Sequence, residues 1–494
     1  MGFAEEIKAA KAGRANSEQL GELARAALSK QREEDVLPLI REAARSDARL
    51  WQWKGLLERA LDEHAEALKS FAEAARLAPA DSGIAHGRAR VALEAGSPAV
   101  ELFECALRLA PSDPQIYLGL NAARIAAGDA DRAEAELDAI LVRSPLWLDG
   151  HRQLAQVRSL LGNREDAFAS LEQAIARHPG QPALWHALFD LHVQAEDYAS
   201  LDDILGKARS AIPPQTFRIY EFVAASELGQ TSAADRFRNT DETEIPAVWR
   251  VRHELRNGRV EEAVALIDSE IAGTGAADIW PYAETAWRLS GDPRLQWLTA
   301  DPNLVSLIDV SDELAAIPSL CDLLRSLHSV SGRYLNQSVR GGSQTDGPLF
   351  SRIEPEIRAL RSLIVGAVEN HVGRFESLPD SHPQKKSAAG KRVRFSGSWS
   401  VRLVDGGFHS NHVHPRGWIS SALYLSLPEG MRGNEGWLTL GEPPAELGLR
   451  LEPTRLIEPK AGQLVLFPSW MFHGTRPFQE GERLTVAFDV APPS

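Results

Sequence analysis

The sequence predicts a multidomain α + β chain. An N-terminal α-helical solenoid of repeated hairpins is followed by a C-terminal double-stranded β-helix, or jelly roll. Three observations predict this. Prolines recur at Pro79, Pro111, Pro145, Pro179 and Pro213, at intervals of 32, 34, 34 and 34 residues. From Ser398 onward the hydrophobic period falls from 3.6 to 2. Four of the 14 histidines lie between Phe408 and His473. At 494 residues the chain has room for about three domain-equivalents. The expected division is a helical array over 1–299, a connecting segment of helices and loops over 300–397, and a jelly-roll core over 398–494.

Composition narrows the class. Hydrophobic residues make up 44% and charged residues 25%, which excludes a disordered or collagenous chain. The net charge of −14 repels phosphate backbones and disfavours nucleic acid as a partner. Two cysteines, Cys105 and Cys321, are too few and too far apart for a thiolate metal site, and fit a reducing cytoplasm. The first residues, MGFAEEIKAAKAGRANSEQ, lack the apolar core of a secretory signal. Gly2 lacks the Ser or Thr that myristoylation wants at position 6, where Glu6 stands. No apolar run reaches the ~18 residues of a membrane span.

The repeat has a clear physical reading. Ala67, Ala99, Ala133 and Ala167 stand twelve residues before successive prolines, and Phe71, Phe103, Leu137 and Leu171 stand eight before. A small residue lets paired helices approach, and the larger one fills the groove. Gly96, Gly128 and Gly162 mark the turn between helices, and each proline stops the second helix. The short first interval follows from a shorter turn, AGSPA against AGDADRA. Pro246 and Pro281 are expected to keep the phase approximately, and residues 1–49 to cap the array. This period and pattern over 50–213 resemble the tetratricopeptide repeat. The resemblance implies a groove that binds a protein or peptide client. Homodimer formation or docking of the catalytic domain is the alternative left open.

In the connecting segment, residues 301–331 read as short helices with turns. Gln337–Thr345 reads as a loop around Gly341 and Gly342, and EPEIRALRSLIVGAVENHVGRF as a helix. LPDSHPQKKSAAGKRVRFSG reads as an exposed loop. Its Lys385, Lys386, Lys391, Arg392 and Arg394 form either a solvated surface or a site for an acidic substrate segment.

SWSVRLV, WISSALYLSL, GWLTL, QLVLF and RLTVAFDV are short strands bounded by Gly and Pro, as in a compact antiparallel barrel or jelly roll. HSNHVHPRG precedes one strand and FPSWMFHGTRPF follows another, so their imidazoles can converge on a metal. An imidazole-rich, cysteine-free site with open positions suits Fe(II) among first-row metals.

His412-Val413-His414-Pro415 before ISSALYLSLP, FPSWMFHG around His473, and Arg483 ten residues beyond together resemble the Fe(II)/2-oxoglutarate-dependent oxygenases. The prolyl and aspartyl/asparaginyl hydroxylases are more distant relatives. The resemblance covers roughly 330–494 and implies Fe(II), 2-oxoglutarate and O2 as cofactor and co-substrates. It assigns His412 and His473 as iron ligands, and Arg483 as the grip on the far carboxylate of 2-oxoglutarate, assisted by Thr485. Where the family usually has His-x-Asp/Glu, this sequence has His414. That leaves three readings: ligation by three imidazoles, an open position, or ligation by Asp405. Ser400, Arg402 and Tyr424 stand where relatives bind the keto-acid end. His409 reads as a residue of the mouth. Arg340, Gln344 and Thr345, in a QS-x-RGG-x-QT stretch similar to one in the same family, are candidates for the substrate path. The implied activity is hydroxylation of a protein or peptide recruited by the array. Alternatives are an oxygenase of a small or carrier-bound metabolite with the array as scaffold, and a non-enzymatic adaptor.

Overall fold

The computed structural model describes residues 2–237, 245–273, 275–328, 332, 335, 337–388 and 391–493. Helices pair as the repeat predicts: Ala48–Ala60 with His64–Leu77, Ser82–Glu94 with Val100–Leu109, Leu148–Leu160 with Ala169–Arg177, and Pro182–Gln194 with Tyr198–Ala208. Asp81 and Asp113 cap the N-termini of two first helices by accepting from the amides of Ile84 and Gln115. The repeated alanines and the repeated Phe and Leu are all buried. Phe71 needs small neighbours: a Cβ at Gly87 would lie 2.3 Å from its ring. The turn between paired helices demands a left-handed backbone. Gly96, Gly128 and Gly162 supply it at φ of 71°, 80° and 87°, whereas Asp62 and Glu196 hold φ of 58° and 57° with a side chain. Pro246 precedes the helix Ala247–Arg256, in phase, but Pro281 lies inside the helix Ala276–Ser290. Pro281 therefore does not end a helix as its phase implied.

The chain forms two compact units. One comprises Met1–Ala133, Asp346–Ile364 and Pro493–Ser494; the other comprises Glu134–Thr345 and Val365–Pro492. The second unit holds the later hairpins and all the described strands. These are β1 (Ser306–Asp309), β2 (Val339–Gln344), β3 (Phe395–His409), β4 (Ile419–Ser426), β5 (Leu438–Leu440), β6 (Arg455–Ile457), β7 (Gln463–Pro468), β8 (His473–Thr475) and β9 (Glu482–Val490). They make an antiparallel jelly roll with a six-stranded sheet, β1-β7-β4-β9-β3-β2, and a three-stranded sheet, β6-β5-β8.

Two stretches differ from the sequence reading. Residues 306–309, expected within short helices, pair as β1 with β7, and most of the expected loop 337–345 is β2, paired with β3. Both strands lie at sheet edges, and their few residues carry little periodic signal. A register shift at Arg340/Gly342, with Gly341 at φ 69°, turns β2 along β3. In the basic loop, Lys385 donates to the carbonyls of Glu376 and Leu378 and pairs with Asp380 at 3.0 Å.

Within the second unit the helices brace the jelly roll directly. Arg288 donates to the carbonyls of Gly441 and Glu452. Tyr282 packs edge-on against Phe472 at 5.6 Å. No described helix is long and apolar enough to cross a membrane.

Candidate metal centre and active-site cavity

His412 lies just beyond β3 and His473 begins β8. Their main chains form an isolated antiparallel bridge, each amide donating to the other's carbonyl at 2.9 Å. Two residues on, the His414 amide donates to the Ser469 carbonyl at 3.2 Å. The segment 412–414 therefore runs alongside 469–473, and three imidazoles meet. Ring centroids are 4.3 Å apart for His412–His473, 4.9 Å for His412–His414 and 5.1 Å for His414–His473. Their ligand-capable nitrogens all lie within 4.8 Å of one another.

Each ring is held by an acceptor at Nδ1. His412 donates to the Ser410 carbonyl at 2.8 Å, His473 to the Met471 carbonyl at 3.0 Å, and His414 to Asp489 Oδ2 at 2.6 Å. An occupied Nδ1–H leaves the Nε2 lone pair as the one available to a metal; on His412 that nitrogen lies 3.3 Å from the Ser338 hydroxyl. Burial, followed by the neighbouring His414, pushes His473 down to about 3. Burial, reinforced by His473 and His414, holds His412 well below the usual imidazole range. Both are neutral at pH 7, as ligation requires. Trp399 stacks on His414 at 5.6 Å and 11°. Phe467 meets His473 edge-on at 4.9 Å. This donor set fits a first-row divalent ion with positions left open.

Arg483 on β9 is buried and lines the same cavity. Its Nη1 donates to the Gly436 carbonyl at 2.9 Å, and its guanidinium lies 4.8 Å over the Tyr424 ring. Arg483 Nε and the Tyr424 hydroxyl are buried without a hydrogen-bond partner among the described residues. Unsatisfied buried donors of this kind are costly, and an anionic oxygen would satisfy them. Arg483, Thr485, Ala487 and Asp489 alternate with residues of the other face along β9, so all four line the cavity. These groups fit a dicarboxylate gripped at one end.

The cavity measures about 990 Å³. Its walls are not those of the jelly roll alone. Gln194, Glu196 and Tyr198, at the turn between Pro182–Gln194 and Tyr198–Ala208, form part of the lining together with Trp249 and Arg252. Arg340 lines it too, with Nη2 3.8 Å from Glu196.

Several residues singled out from sequence take other places. Ser400 and Arg402 point to the opposite face of β3 from Trp399. Ser400 bonds His328 at 3.1 Å, and Arg402 pairs with Glu482 at 2.5 Å. A one-residue error in facing exchanges the two sides of a strand, so neither lines the cavity. Thr345 is buried with its hydroxyl accepting from the Ser400 amide at 3.0 Å, which makes it a strand-edge tie instead of a cavity residue. Tyr424 lies behind Arg483 instead of at the metal end. Gln344 and His409 do line the cavity. His409 bonds Ser338 at 3.1 Å and stands outside the three-imidazole cluster; burial and Arg483 push it down to about 3. Asp405, in β3, accepts from the Gly481 amide at 2.9 Å and is not among the clustered residues. Sequence reasoning missed Asp489, Ser420 and Trp399. Period-2 alternation from Arg483 would have found Asp489.

Residues 397–489 match the family described as "Putative 2OG-Fe(II) oxygenase". No curated protein sequence matches the chain. Among solved structures, the chain is similar to YrrB, "a TPR protein with an unusual peptide-binding site", at 20% identity and TM-score 0.29, over 38% of this chain and 97% of that one. It is also similar to MamA from Desulfovibrio magneticus RS-1, at 16% identity and TM-score 0.29, over 36% of this chain and 99% of that one. The chain joins an array of paired helices to a C-terminal jelly roll whose residues 397–489 are similar to the putative 2OG-Fe(II) oxygenase family.

Proposed function

We propose that the protein is an Fe(II)/2-oxoglutarate-dependent oxygenase that hydroxylates a protein or peptide presented by the helical array. The observation that carries the first half is the convergence of three Nδ1-anchored imidazoles in a cavity that also holds buried Arg483. His412, His414 and His473 would hold iron through Nε2. Arg483, with the Tyr424 and Thr485 hydroxyls, would bind the far carboxylate of 2-oxoglutarate. The bound iron supplies O2 activation, with 2-oxoglutarate converted to succinate and CO2 as one oxygen atom enters a substrate C–H bond.

The remaining work belongs to the chain. The Arg483 fork orients the dicarboxylate. Phe467 and Leu438 contribute an apolar stretch to the cavity wall. The wall contributed by Gln194, Glu196 and Tyr198 supports a substrate that touches helices and metal at once. A cytoplasmic location is part of the same reading, and Cys105 and Cys321 are both free thiols.

The test combines two measurements on the full chain loaded anaerobically with Fe(II). Addition of 2-oxoglutarate should produce a weak visible charge-transfer band, and admission of O2 should yield succinate. Absence of both refutes the oxygenase. Peptides captured by the protein should gain 16 Da in mass spectrometry. Turnover of a metabolite by a protein that captures no peptide would refute the client half.

A further inference from the structure

The departure at His414 leaves the centre with three imidazole donors and no carboxylate, and the structure places a carboxylate one ring away. Asp489 is 6% exposed, and its Oδ2 accepts the His414 Nδ1–H at 2.6 Å. Its Oδ1 accepts from the Ser420 hydroxyl at 2.6 Å, which lies 2.9 Å from the Ser469 hydroxyl. Ser420 and Asp489 face each other in the β4–β9 register. Ser469 also receives the His414 amide on its carbonyl, so one network fixes ring and main chain together. Gly417 permits the close packing: a Cβ there would fall 2.5 Å from the Ser469 hydroxyl and 3.3 Å from the Asp489 Cβ.

We infer that Asp489 is a positioning residue of the metal centre: it fixes His414 with Nε2 toward the ion and delivers, through the imidazole, the negative charge that a directly bound carboxylate would bring. A carboxylate that accepts from the far nitrogen of a ligating imidazole raises the basicity of the other nitrogen and sets ring orientation. Asp489 differs from the partners of the other two ligands, which are neutral main-chain carbonyls. The inference rests on the proposed metal site and explains how a His-x-His sequence can occupy a His-x-carboxylate role.

The test is a thermodynamic cycle read by metal binding, not turnover. Full-length wild type, D489N, H414A and the double variant are titrated with Co(II), and visible ligand-field absorption is recorded. D489N keeps the shape of Asp489 and a bond to Ser420. It should weaken Co(II) binding about ten- to a hundredfold and shift the bands. In the H414A background, D489N should change affinity less than about twofold, because its effect passes through His414. Wild-type affinity and spectrum in D489N would overturn the inference and leave the metal site standing. An undiminished D489N effect without His414 would overturn it too. Failure of wild type to bind Co(II) would overturn the site and the inference together. If D489N does not fold, Ser420→Ala leaves the carboxylate present but unanchored. It should weaken Co(II) binding only when His414 is present, and an equal loss in both backgrounds would reject the idea.

Discussion

His412 and His473 hold each other by the main chain, with both amide-to-carbonyl bonds at 2.9 Å. Their positions therefore do not depend on their own side chains. His412→Ala and His473→Ala should fold with melting temperatures within a few degrees of wild type. Each should lose at least about a hundredfold in Co(II) or Fe(II) affinity, and succinate formation with it. Wild-type metal binding in either variant would remove that residue from the ligand set.

Arg483 should act on the co-substrate and not on the metal. Lysine keeps the charge but loses the planar fork, and a charge-assisted bond contributes about 1.5–3 kcal/mol. Arg483→Lys should raise the KM for 2-oxoglutarate about tenfold or more, and Arg483→Ala further. Metal affinity should stay near wild type. Unchanged 2-oxoglutarate dependence in the alanine variant would contradict the assignment.

The helical wall of the cavity predicts a separable substrate effect. Tyr198→Ala and Arg340→Glu should raise the KM for a peptide client severalfold. Substrate-free consumption of 2-oxoglutarate should remain as in wild type, since neither residue belongs to the imidazole cluster. Equal loss of both activities would place these residues in the catalytic machinery instead.

Acid should destabilise the second unit through a buried histidine. Burial, aided by nearby Arg374, pushes His371 down to about 4. Its Nδ1 lies 2.7 Å from the Ser306 hydroxyl. The folded value lies below that of the unfolded chain, so the neutral form is preferred in the fold. The contribution is complete above about pH 6.5 and is lost as pH falls toward 4; it amounts to on the order of 3 kcal/mol. Melting temperature should fall over that interval, and His371→Asn should flatten the slope. An unchanged slope would reject His371 as its source.

The centre of the site was more legible than its surroundings. His412, His473 and Arg483 announce themselves because they interrupt short strands at fixed offsets. The array was legible because its proline and alanine phases repeat. Ser400 and Arg402 were misplaced because alternation gives two faces but not which one looks inward. Strands β1 and β2 were missed because six residues or fewer at a sheet edge carry little pattern. Asp489, one acid in an apolar run, was signalled only by its alternation with Arg483 along β9. The contribution of Glu196 and Tyr198 to the cavity follows only from packing between elements far apart in sequence.

Glu196, like Asp62, occupies a turn position where other hairpins use glycine, and it lines the cavity. The hairpin that carries it cannot then be exchanged like an ordinary repeat. Insertion or deletion of one 34-residue unit between this turn and the strands would carry one cavity wall away from the imidazoles. Copy number on that side of the array is thus locked by the chemistry it serves. New substrate preferences would have to arise by changing residues on the turn instead of by adding repeats.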